Sequence, residues 1–427
     1  MLIRHATLLD GRVADIRLAE RILEVAPVLR RQPGETALDA RFGTVLPGLH
    51  DHHLHLRAAA AALGSVMVGP PVVRTEGQFE TVVSAAQPAD DGWIRAVGYH
   101  ESVAGELDRT RLDALQALTP LRIQHRSGAL WILNSAALAH IGHPDHPDGR
   151  IRSDDRRLSE AIPRRQPDLP ALSRELARYG VTGVTDATPD LQPDEISSLT
   201  AAFGQHVHCL APGKKILHDD TLDLDGLTGW IAGCHAADVP VAIHCVTAAQ
   251  LVVASAASRA AGVHPGDRIE HAAIVPDVSA LAALGVTVVT QPNFVGERGE
   301  QYLKDVPAGE HEQLWRLASL IRAGIPVAGS TDAPFGALDP WAAMRAAVTR
   351  ATASGHVIGP RERVDARQAV RMFVGAADHP AEPRRIEPGQ PGDVCVLSVP
   401  PDEALRTLAS DMVVATVVDG NPLTVDR

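Results

Sequence analysis

Two histidines, His53 and His55, stand two residues apart in the run Pro47-Gly48-Leu49-His50-Asp51-His52-His53-Leu54-His55-Leu56. On a β-strand, residues i and i+2 point to the same face. Two neutral imidazoles side by side form a metal-ligand pair, and imidazole suits zinc, iron, nickel and copper alike. The Pro-Gly step just before them fixes the turn that leads into the pair. His-x-His alone is common, and its weight comes from partners further down the chain. His244 closes the burst Pro240-Val241-Ala242-Ile243, His271 follows Arg268-Ile269-Glu270, and Asp332 follows Val327-Ala328-Gly329-Ser330-Thr331. Of the 40 basic residues only Lys214, Lys215 and Lys304 are lysines. A plain cation at the head of Ile216-Leu217 could have been arginine, whereas the chemistry of an amine could not. Lys215 is the candidate there, with the adjacent Lys214 as the alternative for the inward position.

These side chains can meet only if strands bring their ends together. The bursts Gly183–Asp186, Lys215–Leu217, Val239–Cys245, Asp267–His271, Val286–Gln291 and Ile325–Asp332 read as strands, separated by helical stretches such as Ala248–Ala261 and Val278–Leu284. The gaps of 29 residues from Lys215 to His244, 27 to His271 and 61 to Asp332 correspond to one, one and two βα units. An α/β fold with a (β/α)8 TIM-type barrel over residues 46–384 would gather all these strand ends on its catalytic face. Residues 1–45 and 385–427 alternate in short β-like bursts, and their pairing into a small sheet domain is expected. Over 120 residues separate the first strand from Gly183, so an insertion or lid is expected within about 57–170. It reads as helical around Leu107–Leu118, with Arg150–Asp168 as an exposed loop.

Composition narrows the class. With 45% hydrophobic and 22% charged residues the chain has ample material for a core. A net charge of −12 argues against nucleic acid and membrane surfaces, both polyanionic. No apolar signal core follows Met1, so a cytoplasmic address is expected. Cys209, Cys234, Cys245 and Cys395 make no disulfide framework. No nucleophile elbow, phosphate loop or dinucleotide fingerprint is present.

The Pro-Gly-Leu-x-Asp-x-His-x-His run, Ile243-His244, Glu270-His271 and Ser330-Thr331-Asp332 together resemble the amidohydrolase superfamily, metal-dependent hydrolases on a (β/α)8 barrel with a flanking β-sandwich. Ser127-Gly128-Ala129, Asn134-Ser135-Ala136-Ala137-Leu138, Gln291-Pro292 and Lys215-Ile216-Leu217 before Asp219 resemble the branch that includes N-substituted formamide deformylase. The resemblance implies that His53 and His55 hold one divalent ion and that His244 and His271 hold a second. It further implies that Lys215 bridges them as a CO2-derived carbamate and that Asp332 ligates the first ion. Zinc leads the candidates, with Mn, Fe, Ni and Co accepted by the same donors. The implied reaction is C–N cleavage of an amide, N-substituted formamide or cyclic amide by metal-bound hydroxide, with Asp332 moving the proton. The chain departs from the pattern at Ser127-Gly128-Ala129, where Asp-Gly-His is frequent, at His50 and His52, usually apolar or small, and at Asp220.

Each residue has a plainer reading. His53 and His55 could be polar strand ends, His244 and His271 buried hydrogen-bonded imidazoles, Asp332 a helix cap, and both lysines solvated. Strand alternation sends His52 away from His53, and Cys245 to the opposite face from His244. Arg126 and Trp131 after a supposed second strand, Gln291 at the seventh strand end and Trp341 after Asp332 are the substrate-contact candidates. A small-molecule substrate is expected, and a homo-oligomer is left open. The rivals are an ester, lactone or phosphoester hydrolase or a deaminase on the same site, or a catalytically silent metal-binding barrel.

Overall fold

The computed structural model describes residues 1–152, 161 and 166–423. Its contacts divide the chain into two compact units, Met1–Leu56 with Leu169–Arg427, and Arg57–Asp168.

The larger unit holds eight parallel strands: β1 (Leu49–Leu54), β2 (Val181–Asp186), β3 (His206–Cys209), β4 (Lys214–Ile216), β5 (Ala242–Cys245), β6 (Arg268–His271), β7 (Thr287–Thr290) and β8 (Val327–Gly329). They form two sheets, β3-β2-β1 and β4-β5-β6-β7-β8. Past the strand ends, Asp332 N donates to His53 O (2.9 Å) and His55 N to Ala333 O (2.8 Å), which ties β8 to β1. Strands buried on both faces carry near-continuous apolar runs, as in Thr287–Thr290, where Val288 and Val289 are fully buried. The intervening helices start on side chains that accept first-turn N–H groups, Asp223, Thr247, Asp277 and Asp339 among them.

The expected strands are present but shorter at most ends: the one expected over Ile325–Asp332 spans Val327–Gly329. Strand β3 was not expected. It passes into β4 through residues 210–213 alone, so the helix that a regular alternation would place there is missing.

Two four-stranded sheets come from the chain ends. One joins Ile22–Ala26, Val13–Leu18, Leu2–Thr7 and Ala37–Asp39; the other joins Asn421–Leu423, Val413–Val418, Val394–Leu397 and Val45–Pro47. Ile3, Ile16, Leu18, Val45, Val394, Val396 and Val417 share one apolar core between them.

The segment expected as an insertion, Arg57–Asp168, holds more than the helix expected around Leu107–Leu118. It carries a five-stranded mixed sheet in the order Arg150–Arg152, Leu130–Leu133, Leu121–His125, Ile94–Tyr99 and Val66–Met67, packed on a core with Phe79, Tyr99, Leu112 and Ile123. The expected helix is Arg109–Leu115. The loop expected over Arg150–Asp168 begins instead as a strand, and its residues 153–160 and 162–165 lie outside the described residues. Among the described residues no helix is long and apolar enough to cross a membrane.

Candidate metal centre

Register decides which lysine turns inward. Lys214 pairs with Ala242 and Ile216 with His244, while Ala242 pairs with Arg268 and His244 with Glu270. Neighbours across a parallel ladder share a face, so Lys214, His244, Arg268 and Glu270 lie on one side of the sheet. Lys214 is buried, at 4% exposure, and its Nζ has no hydrogen-bond partner. Lys215, the expected bridging residue, is corrected by this geometry: it is exposed, with Nζ 5.5 Å from the centre of the Trp230 ring. Burial, against the opposing pull of the Glu270 carboxylate, lowers the Lys214 ammonium to about 8, which leaves a sizeable fraction as free amine near neutral pH.

Two other members arrive by breaking the alternation. His271 pairs with Cys245, one step out of phase with His244. Its φ of +67° turns it, and the His244 and His271 ring centres come to 4.4 Å. Asp332 likewise has φ of +57°. Left-handed backbone at non-glycine residues costs of order 1–3 kcal/mol and persists where surroundings over-determine it. Around Asp332 they do: Phe335 N and Gly336 N donate to its carbonyl at 2.8 and 3.1 Å, and Thr331 donates twice to the buried Asp51 carboxylate (N at 3.1 Å, Oγ1 at 2.5 Å). Gly336 fits because an added Cβ would lie 2.4 Å from Thr331 O.

The result is one cluster. Asp332 Oδ1 lies 3.5 Å from His55 Nε2 and 3.6 Å from His53 Nε2, and Oδ2 lies 3.9 Å from His271 Nδ1. His53 and His271 ring centres are 4.8 Å apart. Burial, reinforced by the Lys214 cation, lowers His53 to about 4 and His244 to about 3, so both are neutral imidazoles with a lone pair to offer. His271 is pushed well down for the same reason, burial first. For Asp332 burial opposes ionisation, but the His55 contact and the His53 and His271 rings outweigh it and hold the carboxyl below its usual range.

Behind the cluster stands a layer that sequence reasoning missed. Glu270 is fully buried; it accepts from Arg268 Nε and from His53 Nδ1, and Arg268 Nη2 also donates to His52 O at 2.5 Å. The signal was available, because opposite charges at i and i+2 on a strand share a face. Gln291, expected at the substrate, instead accepts from His271 Nδ1 (2.8 Å) and donates to Ser330 Oγ (2.9 Å). Trp341 is likewise corrected: it is fully buried and its indole donates to Tyr179 O at 2.9 Å. Trp131 lies on a strand of the sheet of residues 57–168, and Arg126 in the turn after the neighbouring strand, neither of them on the eight parallel strands; Trp131 packs beside Trp93 and Leu133. His50 and His52 stack with ring centres 4.5 Å apart, His50 bonded to Thr185 Oγ1 at 2.8 Å, and neither joins the cluster.

Two more convergences of ligand-type atoms occur, His100/Glu101/His125 and His206/Asp393/Asp419. In the first, Ser102 N and Ser127 N donate to the Nδ1 atoms of His100 and His125 (3.1 and 3.2 Å), which puts the ring protons on Nε2, facing Glu101. In the second, His206 is half exposed and Asp393 is engaged by Arg384 at 3.4 Å.

The central cluster fits a divalent transition ion by its donors, four imidazoles and a carboxylate, and by its orphans: His271 Nε2, Asp332 Oδ1 and Lys214 Nζ are buried without a hydrogen-bond partner. Comparison with known proteins agrees. Residues 36–424 match the model of the amidohydrolase family. N-substituted formamide deformylase of Arthrobacter pascens is 25% identical, with 91% of this chain and 90% of that protein aligned. The crystal structure of an uncharacterized metal-dependent hydrolase from Pyrococcus horikoshii superposes with a TM-score of 0.72 at 17% identity, covering 94% of this chain and 97% of that one. That of 5-methylcytosine deaminase from Klebsiella pneumoniae superposes at 0.52 and 15% identity, covering 100% and 98%. Likeness at these identities shows a shared fold.

Proposed function

This chain belongs to the amidohydrolase family, and from that premise we propose that it hydrolyses the C–N bond of a small amide, an N-substituted formamide or cyclic amide foremost. The observation that carries the proposal is the convergence of His53, His55, His244, His271 and Asp332 around a buried, unpartnered Lys214. The formamide deformylase from A. pascens supports the substrate class. In this reading the eight parallel strands, adjacent in the cyclic order β3-β2-β1-β8-β7-β6-β5-β4, form the (β/α)8 barrel, and residues 1–45 with 385–427 form its sandwich companion.

His53, His55 and Asp332 would hold one divalent ion, zinc first among the candidates, and His244 and His271 a second. Lys214 would stand between them as a carbamate: its neutral amine adds to CO2, a C–N bond forms, and one proton leaves. The cation becomes an anionic two-oxygen ligand. When bound, such ions polarise the scissile carbonyl and make water a nucleophile at neutral pH. Asp332, ionised and beside that point, takes the proton of the attacking water and delivers it to the leaving nitrogen. His271 and His53, kept neutral by burial, do not compete for it.

Elemental analysis of purified protein should find transition metal, and matched amide, ester and aryl-phosphate substrates should show the amide turned over best. Protein free of metal that retains turnover, or a clear preference for phosphoesters, would overturn this reading.

A further inference from the structure

Among the described residues outside the cluster's own donors, a buried ion pair is aimed at it. Glu270 and Arg268 are 0% and 5% exposed. Isolated, either charge would cost several kcal/mol to bury. Together they form a fork, Arg268 Nε and Nη2 on the two Glu270 oxygens, Nη2 at 3.1 Å from Oε2. The same Oε2 takes the Nδ1 proton of His53. A neutral imidazole has one N–H, so a proton held at Nδ1 leaves the lone pair at Nε2, the atom that faces Asp332 at 3.6 Å. His271 is fixed from behind as well, but by the neutral amide of Gln291.

We propose that Glu270, locked by Arg268, is the positioning residue that fixes the His53 tautomer, and that this charged brace makes the ion at His53, His55 and Asp332 the more tightly held of the two. The inference rests on the metal-centre reading above. A carboxylate behind a ligating imidazole raises its basicity and freezes its orientation, and loss of such a partner typically weakens metal binding about 10–100-fold. A neutral amide does the second without the first.

The test is zinc competition with a graded chelator series on the wild type and on Glu270→Asp, which keeps the charge beside Arg268 but withdraws the acceptor from His53. The wild type should release zinc in two steps, and in the variant the tighter step alone should weaken, about tenfold or more. Imidazole nitrogen NMR of zinc-loaded wild type supplies an arm independent of variant folding: it should show an exchange-protected proton on His53 Nδ1. A wild type that binds no zinc sinks the metal-centre reading itself. A wild type that binds zinc, with Glu270→Asp releasing it identically or with no His53 Nδ1 proton, sinks only the proposal about Glu270.

Discussion

Each unit of the molecule holds a cluster in which two histidine nitrogens and a carboxylate oxygen lie within 4.8 Å of one another: His53/His55/Asp332 in one, His100/Glu101/His125 in the other. By distance they are equivalent. What separates them is the far nitrogen of each ring. His53 gives its Nδ1 proton to a buried carboxylate and turns a lone pair toward Asp332. His100 and His125 accept backbone N–H groups at Nδ1 and turn their Nε2 atoms toward Glu101, which His125 hydrogen-bonds at 3.1 Å and His100 faces at 3.8 Å. The first arrangement turns a lone pair toward a carboxylate; the second turns ring protons toward one. Convergent donors therefore mark a ligand set only when the hydrogen bonds behind them leave lone pairs in front.

That contrast can be broken most forcefully at Asp332. Asp332→Asn keeps the side chain's size but removes its proton-carrying capacity, and kcat should fall by about 10²–10⁴-fold with the melting transition retained; unimpaired turnover would remove the central cluster from the chemistry. Next come the adjacent lysines. Lys214→Ala should lower turnover more than about a hundredfold, because it strips several kcal/mol of charge stabilisation from the centre. Lys215→Ala should leave turnover unchanged, costing at most the ~0.5–1 kcal/mol of an exposed cation–π contact. Reversed effects would restore Lys215 as the functional lysine.

Acid titration of the metal-free protein is a gentler probe. His53 has its folded pKa lowered from 6.5 to about 4 and His244 from 6.5 to about 3, burial being the main cause. The unfolded chain thus binds more protons than the folded one below pH 6.5, so their contribution is fully present above that value and is lost as pH falls toward 4 and then 3. Melting temperature should drop through that window, and zinc, which keeps these rings unprotonated in the folded state, should raise it near neutral pH and deepen the drop in acid; a profile indifferent to zinc would contradict ligation by these rings. The smallest effect is expected in the other cluster. His100→Ala and His125→Ala should each cost about 0.5–1.5 kcal/mol of stability, the worth of a hydrogen bond, and leave metal content per chain unchanged. Loss of one metal equivalent would place a second centre there.

Much of this was legible in the residues. His53, His244, His271 and Asp332 announced themselves by type and by position at the end of apolar bursts, and the rhythm of strands and helices placed them at or just past the ends of parallel strands. Between the adjacent lysines Lys215 was preferred on likeness to a family pattern, whereas the face is set by register against the neighbouring strand: Ile216 opposite His244 makes Lys214 the inward residue. His271 and Asp332 were found by type despite geometry, since their positive φ angles break the period that a strand reading assumes. Trp341 and Gln291 went astray because proximity in sequence to a strand end says nothing of direction; one points into the core and the other at His271. The sheet within residues 57–168 was hidden by its short, mixed strands, which lack a repeating βα rhythm.

The bond from Asp332 N to His53 O closes a loop spanning most of the polypeptide, and residues 57–168 fall between these two positions in the sequence. A nascent chain emerging from the ribosome therefore displays His53 and His55 long before the acid that completes their set exists. No fragment that stops short of position 332 holds the complete His53/His55/Asp332 set, so its assembly waits until the last of the parallel strands has been made.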